Sequence, residues 1–128
     1  MGTRDTILNA DDTTYETVEV PEWGVTVAVK GLTIAEQRRF WRTVRKRTGR
    51  ESDYQIDRDK FMVQLIIATA MDVDTHEPVF EAADADALNQ KTAKAANRLY
   101  DVAARLSGFR DDDDVEAELK PTASDDSS

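Results

Sequence analysis

Valine occupies every second position on both sides of the four-residue sequence Pro-Glu-Trp-Gly at 21–24. The valines are Val18, Val20, Val25, Val27 and Val29. Alternation with period two is typical of half-buried strands, and proline and glycine are typical of turns. The pattern predicts a β-hairpin that pairs residues 16–21 with 25–30. Since an isolated two-stranded hairpin is marginal in water, its valines should face a core.

After Gly31 the apolar spacing changes to that of a helix. Thr33 and Glu36 are spaced as a capping box, in which each side chain satisfies an unpaired backbone N–H. The spacing predicts a first helix from Ile34 to about Thr48–Gly49. Its apolar face should carry Ile34, Trp41 and Val44, with Phe40 beside them.

The second half of the chain predicts three more helices. Asp57 is the expected N-cap of a helix whose residues 61–70 are apolar on nearly all sides, which is typical of a helix buried at the centre of a core. Residues 71–80 are predicted to form a connector, followed by a short helix at about 83–89. Thr92 should cap a final helix that ends at Ser107–Gly108, since glycine is common just after a helix. Its inner face should carry Ala95, Leu99, Val102 and Leu106.

These elements predict a small α+β fold that is mainly α. An N-terminal β-hairpin is followed by a small bundle of three main helices and one short helix. Residues 1–15 are polar and should form a flexible arm, residues 16–110 a single domain, and residues 111–128 an acidic, largely disordered tail.

Composition excludes several classes of protein. The 128 residues include no cysteine, which excludes disulfides, a thiolate nucleophile and a cysteine-based zinc site. His76 is the single histidine, so a multi-histidine metal site is excluded as well, and no nucleophile stands near it in sequence. A membrane span needs about 20 apolar residues, and the longest apolar run, 61–71, is too short for that. We expect no catalytic residue, no cofactor and no metal, and therefore no enzyme.

Charge is distributed unevenly along the chain. The formal net charge is −9, yet residues 30–50 contain eight bases and one acid, whereas residues 111–128 contain eight acids and one base. Arg38, Arg42 and Arg45 follow helical spacing and form one stripe. Two interpretations of this stripe stay open: a surface that faces an anionic partner, or a solvated outer helix face.

Four sequence phrases occur in a characteristic order along the chain. VEVPEWG begins at Val18, and GLTIAE begins at Gly31. The apolar helix at 61–71 leads to an acidic connector ending at Val79–Phe80, and DADALNQKTAKAANRLYDVAARLSGF occupies 84–109. Over residues 16–119 this order resembles the tail assembly chaperones of long-tailed (siphovirus-like) phages and prophages. The chain departs from that family in its Arg-rich first helix, where relatives are often more acidic.

The resemblance implies a non-enzymatic chaperone that binds and solubilises the tape measure protein in the host cytoplasm while the tail tube forms. It also implies a longer form, made by programmed frameshifting, that engages tail tube protein, and absence from the mature virion. Self-association is compatible with it, and neither nucleic acid nor membrane is an expected partner.

Two alternatives remain: a structural tail or connector protein, and a small nucleic-acid-binding module using the basic helix 38–50. The expected partner contacts are Trp23 and Trp41, with Arg38, Arg42 and Arg45 at their rim, because aromatic anchors bordered by arginine are common in binding surfaces.

Overall fold

Residues 2–47 and 54–109 are described by a computed structural model. They form five α-helices and five strands. In chain order these are α1 (Thr3–Asn9), β1 (Tyr15–Val20), β2 (Val25–Lys30), α2 (Ile34–Val44), β3 (Arg45–Arg47), β4 (Tyr54–Ile56), α3 (Arg58–Thr69), β5 (Ala70–Asp72), α4 (Ala85–Asn89) and α5 (Ala93–Leu106), with a 3₁₀ turn at Ala82–Asp84 before α4. The predicted α+β class, mainly α, is confirmed.

The predicted hairpin is confirmed with a register close to the expected one. β1 and β2 pair antiparallel from Tyr15 opposite Lys30 to Val20 opposite Val25. The Trp23 N–H donates to the Val20 carbonyl at 2.9 Å. Gly24 has a φ of +69°, a conformation that glycine adopts without steric cost. β2 also pairs with β5, which completes a three-stranded antiparallel sheet in the order β1-β2-β5.

The core lies between one face of this sheet and helices α2, α3 and α5. Leu65 and Ile66 of α3 have no exposed surface, nor has Leu99 of α5. These side chains pack with Val20 and Val29 of the hairpin in one cluster. The prediction that α3 lies in the centre of the core is therefore confirmed.

Local sequence signals set most helix ends where they were expected. The Thr33 hydroxyl accepts from the Glu36 N–H and the Glu36 carboxylate accepts from the Thr33 N–H, which is the predicted capping box. Asp57 and Thr92 cap α3 and α5 as predicted. The inner face of α5 differs in its second half, since Ala103 is buried there while Val102 and Leu106 are half-buried.

The predicted end of α2 is wrong. The helix ends at Val44 and not near Thr48–Gly49, and the next three residues form β3, which pairs antiparallel with β4. The Asp57 N–H donates to the Val44 carbonyl at 2.6 Å, and Arg45 pairs with Ile56. Arginine and lysine favour helices, so the early end is accounted for by the pairing of β3 with β4, from which it is separated by residues 48–53.

At the N-terminal end the structure adds an element that the sequence pattern does not predict. Thr3–Asn9 form α1, in which every residue is exposed, including Ile7 and Leu8. The predicted flexibility of the arm at residues 1–15 stays a prediction. The domain boundaries at 15 and 110 stay predictions, and the predicted tail, residues 111–128, lies outside the described residues.

Candidate partner-binding surface

Aromatic rings cluster beneath α2. Phe40 and Trp41 of α2 contact Phe61 of α3, with ring centroids 5.1 and 6.1 Å apart. Phe109, which follows α5, contacts Trp41 at 5.4 Å and Phe40 at 6.0 Å. Aromatic pairs at these separations stabilise a fold beyond the area that they bury. The ring cluster therefore fixes α2 against both α3 and the end of α5.

The outer side of α2 carries a cationic face, which we define as Arg38, Arg39 and Arg42. All three side chains are exposed, while Phe40 and Val44 on the opposite side are buried. Within the described part of the chain none of the three forms an ion pair. Unpaired guanidinium groups are free to bind carboxylates, often through two parallel hydrogen bonds.

The one acid of α2 points away from this face and is already paired. Glu36 accepts from the Lys30 ammonium at 2.7 Å, and both side chains are partly buried. Burial acts to raise the pKa of Glu36, but the hydrogen bonds from Lys30 and from the Thr33 N–H outweigh it, so that the pKa lies below its ordinary value. Glu36 therefore stays ionised and bound to Lys30, and leaves the arginines unneutralised.

An apolar stripe borders the cationic face. The stripe consists of Ile34 and Trp41, and Arg38 of the cationic face lies between them. These three residues are spaced i, i+4, i+7 along α2, so they share one side of the helix. Ile34 and Trp41 thus lie on the same side, as predicted, but that side is the margin of the core and not its centre. Trp41 is half-buried, and Ile34 is 80% exposed, which corrects its assignment to the core.

A groove opens at the start of this stripe. It has a volume of about 450 Å³ and is lined by Leu32, Ile34 and Leu106 together with the chain at 12–14. Its apolar side chains come from both ends of the fold, because the end of α5 packs on the junction between β2 and α2. The Leu32 N–H donates to the Ser107 hydroxyl at 3.3 Å, and the Gln37 amide donates to the Ser107 carbonyl at 3.1 Å.

The five predicted contact residues lie on α2, on β3 and in the hairpin turn. Arg38, Trp41 and Arg42 lie together on α2. Arg45 belongs to β3, so the predicted helical stripe loses its third member. Trp23 lies in the hairpin turn and packs against the core. Its neighbour Glu22 binds Arg98 of α5 at 3.1 Å, which fixes the turn at the other end of α5 from Phe109.

Two features near α2 do not follow from the predicted elements. One is the exposure of Ile34, which depends on how α2 is rotated in the fold. The other is the packing of the buried Phe109 against α2, for which a sequence signal does exist. Its N–H donates to the Ala104 carbonyl at 2.8 Å, and the N–H of Gly108 (φ +88°) donates to the Arg105 carbonyl at 3.2 Å. This is a Schellman motif, in which an apolar residue directly after the glycine packs back on the helix.

The polar residues around the single histidine have a structural role. The His76 ring stacks on Tyr15 with centroids 3.9 Å apart. The Asp72 carboxylate accepts from the N–H groups of Asp74 and Thr75, and these backbone hydrogen bonds lower its pKa. No group of three or more potential metal-binding side chains occurs among residues 2–47 and 54–109. In the same part of the chain no helix is long and apolar enough to cross a membrane.

Comparison with known proteins identifies the class to which this fold and surface belong. The model of the phage tail assembly chaperone family matches residues 2–120 of the sequence. The chain therefore belongs to the phage tail assembly chaperone family, which is a family of assembly factors and not a class of enzyme.

A solved structure has the same fold. The bacteriophage HK97 tail assembly chaperone superposes with a TM-score of 0.54 at 23% sequence identity, over 85% of this chain and 97% of that chain. None of the curated proteins compared with the chain matches it significantly.

Proposed function

We propose that this chain binds a tape measure protein in the host cytoplasm and keeps it soluble until the tail tube assembles around it. The observation that carries the proposal is the family match over residues 2–120, which makes the chain an assembly chaperone of phage tails. Tail proteins are thus its expected partners. The tape measure protein is a long helical component that is prone to aggregation before it is enclosed, so it is the tail protein that needs a chaperone.

The surface on α2 supports this proposal because it matches an amphipathic helix. Such a helix presents apolar residues in a row, and these can enter an apolar groove. Here the exposed Ile34 and the groove beside it contact apolar side chains, while Arg38 and Arg42 donate hydrogen bonds to carboxylates at the border of the same contact. Trp41, on the same side of α2, is half-buried and offers part of its ring to the partner.

Ion pairs and a small groove would also allow the tape measure protein to be released. Ion pairs at an exposed surface each contribute about 0.2–1 kcal/mol, and salt screens them. A groove of about 450 Å³, lined by polar residues 12–14 as well as by apolar side chains, holds one or two large side chains rather than a whole helix. The complex should therefore be weak at each contact, so that tube subunits displace the chaperone as they polymerise.

Co-expression tests the proposal. The cognate tape measure protein should move from the insoluble to the soluble fraction when this chain is produced with it, and the two should copurify. The variant R38Q/R42Q should reduce the soluble fraction, whereas K60Q/K91Q, which removes the same charge from exposed positions outside α2, should not. If the tape measure protein is equally insoluble with and without this chain, and no complex is recovered, the proposal fails.

A longer product extends the proposal. The family resemblance implies a frameshifted form whose additional domain engages tail tube protein, which would bring tube subunits to the bound tape measure protein. Expression of the gene with its natural downstream sequence, followed by mass spectrometry of the products, should reveal a larger protein that shares the peptides of this chain. A single product would remove tail tube protein from the proposed partners.

A further inference from the structure

The end of α5 directs the chain toward α2. The Schellman motif at Ser107–Gly108 turns the backbone, and Phe109 then packs on Trp41 and Phe40. Phe109 is the last residue of the described chain, and it is anchored beside the middle of α2. Any contact that the following segment makes is therefore tethered close to that helix.

The segment 111–119 is acidic, so its charge is opposite to that of the cationic face. Residues 111–119, DDDDVEAEL, contain six acids and no base. The cationic face carries three arginines without a described acidic partner. The arginines of α5 are already paired, since Arg105 binds Glu16 at 2.9 Å and Arg98 binds Glu22. Among these arginines, the ones on α2 are the available partners for the acidic segment.

The distances allow the contact. An α-helix rises about 1.5 Å per residue, which makes α2 about 16 Å long. Fully extended chain of the length of residues 111–119 reaches up to about 30 Å, and the four aspartates at its start alone reach about 13 Å. Since Phe109 is anchored at Trp41, the acidic run can cover Arg38 and Arg42, which lie about one turn apart.

We propose that the acidic segment 111–119 of this chain docks on the cationic face of α2. Each ion pair is weak, so the contact is transient, but a short tether gives the segment a roughly millimolar effective concentration at that face and the contact re-forms within one molecule. One consequence rests on the proposed function: the segment occupies the arginines that would bind the tape measure protein and competes with it. The contact itself does not depend on any partner.

A spin label tests the contact directly. Because the chain has no cysteine, A117C gives a single attachment point for a nitroxide. At low salt the label should broaden the amide signals of Arg38, Arg39 and Arg42 at least twofold more than those of Thr17 and Glu19, which face away from α5 on the exposed side of β1. At about 1 M salt, where the screening length is about 3 Å, the difference should disappear.

Charge variants provide the controls. In the A117C chain, replacing Asp111–Asp114 with asparagine should abolish the selective broadening, and so should R38Q/R42Q. The matched variant K60Q/K91Q should retain it. Equal broadening of α2 and β1 in the unsubstituted chain would overturn the proposal, and so would selective broadening that persists in the asparagine variant.

The result of the spin-label experiment is independent of the result of the co-expression experiment. Selective broadening, together with failure of the chain to solubilise the tape measure protein, would retain the contact and reject the function. Solubilisation without selective broadening would reject the contact alone. If both hold, the asparagine variant should bind the tape measure protein more tightly than the unsubstituted chain, because its competitor is removed.

Discussion

Gly31 lies where the end of α5 packs against the junction of β2 and α2. A Cβ at this position would lie 2.6 Å from the carbonyl oxygen of Leu106, a backbone atom that cannot rotate away. We predict that G31A destabilises the fold by about 1–3 kcal/mol, as overpacking of a close contact does. Chemical denaturation of both proteins measures this difference in the free energy of unfolding.

Gly2 is the matched control for this substitution. Nothing lies within 4 Å of a Cβ added there, so G2A should unfold like the unsubstituted protein. A G31A protein as stable as G2A would show that α5 does not approach the junction as closely as described.

Glu36 makes the stability of the fold depend on pH. Its pKa in the folded protein lies below the ordinary 4.5. Its ionised form therefore stabilises the fold above that ordinary pKa, and this stabilisation is lost as the pH falls through the folded-state value. We predict that E36Q lowers the melting temperature at pH 7 and reduces the loss of stability on acidification. Thermal melts between pH 7 and pH 3 measure both effects.

The partner of Glu36 gives an independent check. K30M removes the ammonium that binds Glu36 at 2.7 Å. Its effect should not add to that of E36Q, because the two substitutions break the same pair. Additive losses of stability would contradict the pairing.

For single residues, the sequence predicts those features of the structure that depend only on residues close by in the chain. The capping box of Thr33 and Glu36 follows from a spacing of three residues, and the cap of Thr92 from its place before an apolar run. The exposure of Ile34 was not predictable in this way. It depends on the orientation of α2, which the ring cluster with Phe61 and Phe109 fixes from distant parts of the chain.

Among the elements, α3 should contribute most to stability. Leu65 is fully buried in the core cluster. The variant L65A should therefore cost about 2–5 kcal/mol, from lost apolar contacts and the cavity that remains. Lys60 is exposed on the same helix, and K60A should change the free energy of unfolding by at most about 0.5 kcal/mol. Urea denaturation compares the two, and a harmless L65A would place the core elsewhere.

Elements differ in how far sequence predicts them. The hairpin is predictable because alternating valines and a turn sequence lie within one short segment, and its register matches within a residue. The end of α2 is not predictable in this way. β3 pairs with β4, which follows after residues 48–53, and this pairing replaces the helical hydrogen bonds that residues 45–47 would otherwise make. Arg45, one of the three residues of the predicted arginine stripe, therefore lies in β3 and not in the first helix as predicted.

For the whole molecule, charge argues against nucleic acid as the partner. The net charge is −9, and the continuous basic helix 38–50 that would bind a phosphate backbone is interrupted at Val44. We predict no specific DNA or RNA binding by fluorescence anisotropy at about 150 mM salt, where the screening length is about 8 Å. Submicromolar binding that weakens when Arg38, Arg42 and Arg45 become serine would contradict this prediction.

The site was only partly accessible from sequence. The ordered phrases over residues 16–119 led to the correct family, but no phrase identifies a contact surface. Arg38, Arg42 and Trp41 were chosen for their residue types, and the structure places them together on α2. Trp23 was chosen on the same grounds and lies at the hairpin turn, packed against the core. Which aromatic residues share a surface depends on packing between elements, and local spacing carries no information on that.

We propose above all that the cationic face of α2 holds the tape measure protein. Peptides tiled across the cognate tape measure protein, titrated with the purified chain at about 150 mM salt, test it by fluorescence anisotropy. For the tightest peptide we predict about tenfold weaker binding by R38Q/R42Q, since two ion pairs contribute about 1.4 kcal/mol together, and unchanged binding by K60Q/K91Q. Equal affinity of R38Q/R42Q and the unsubstituted chain would contradict the account.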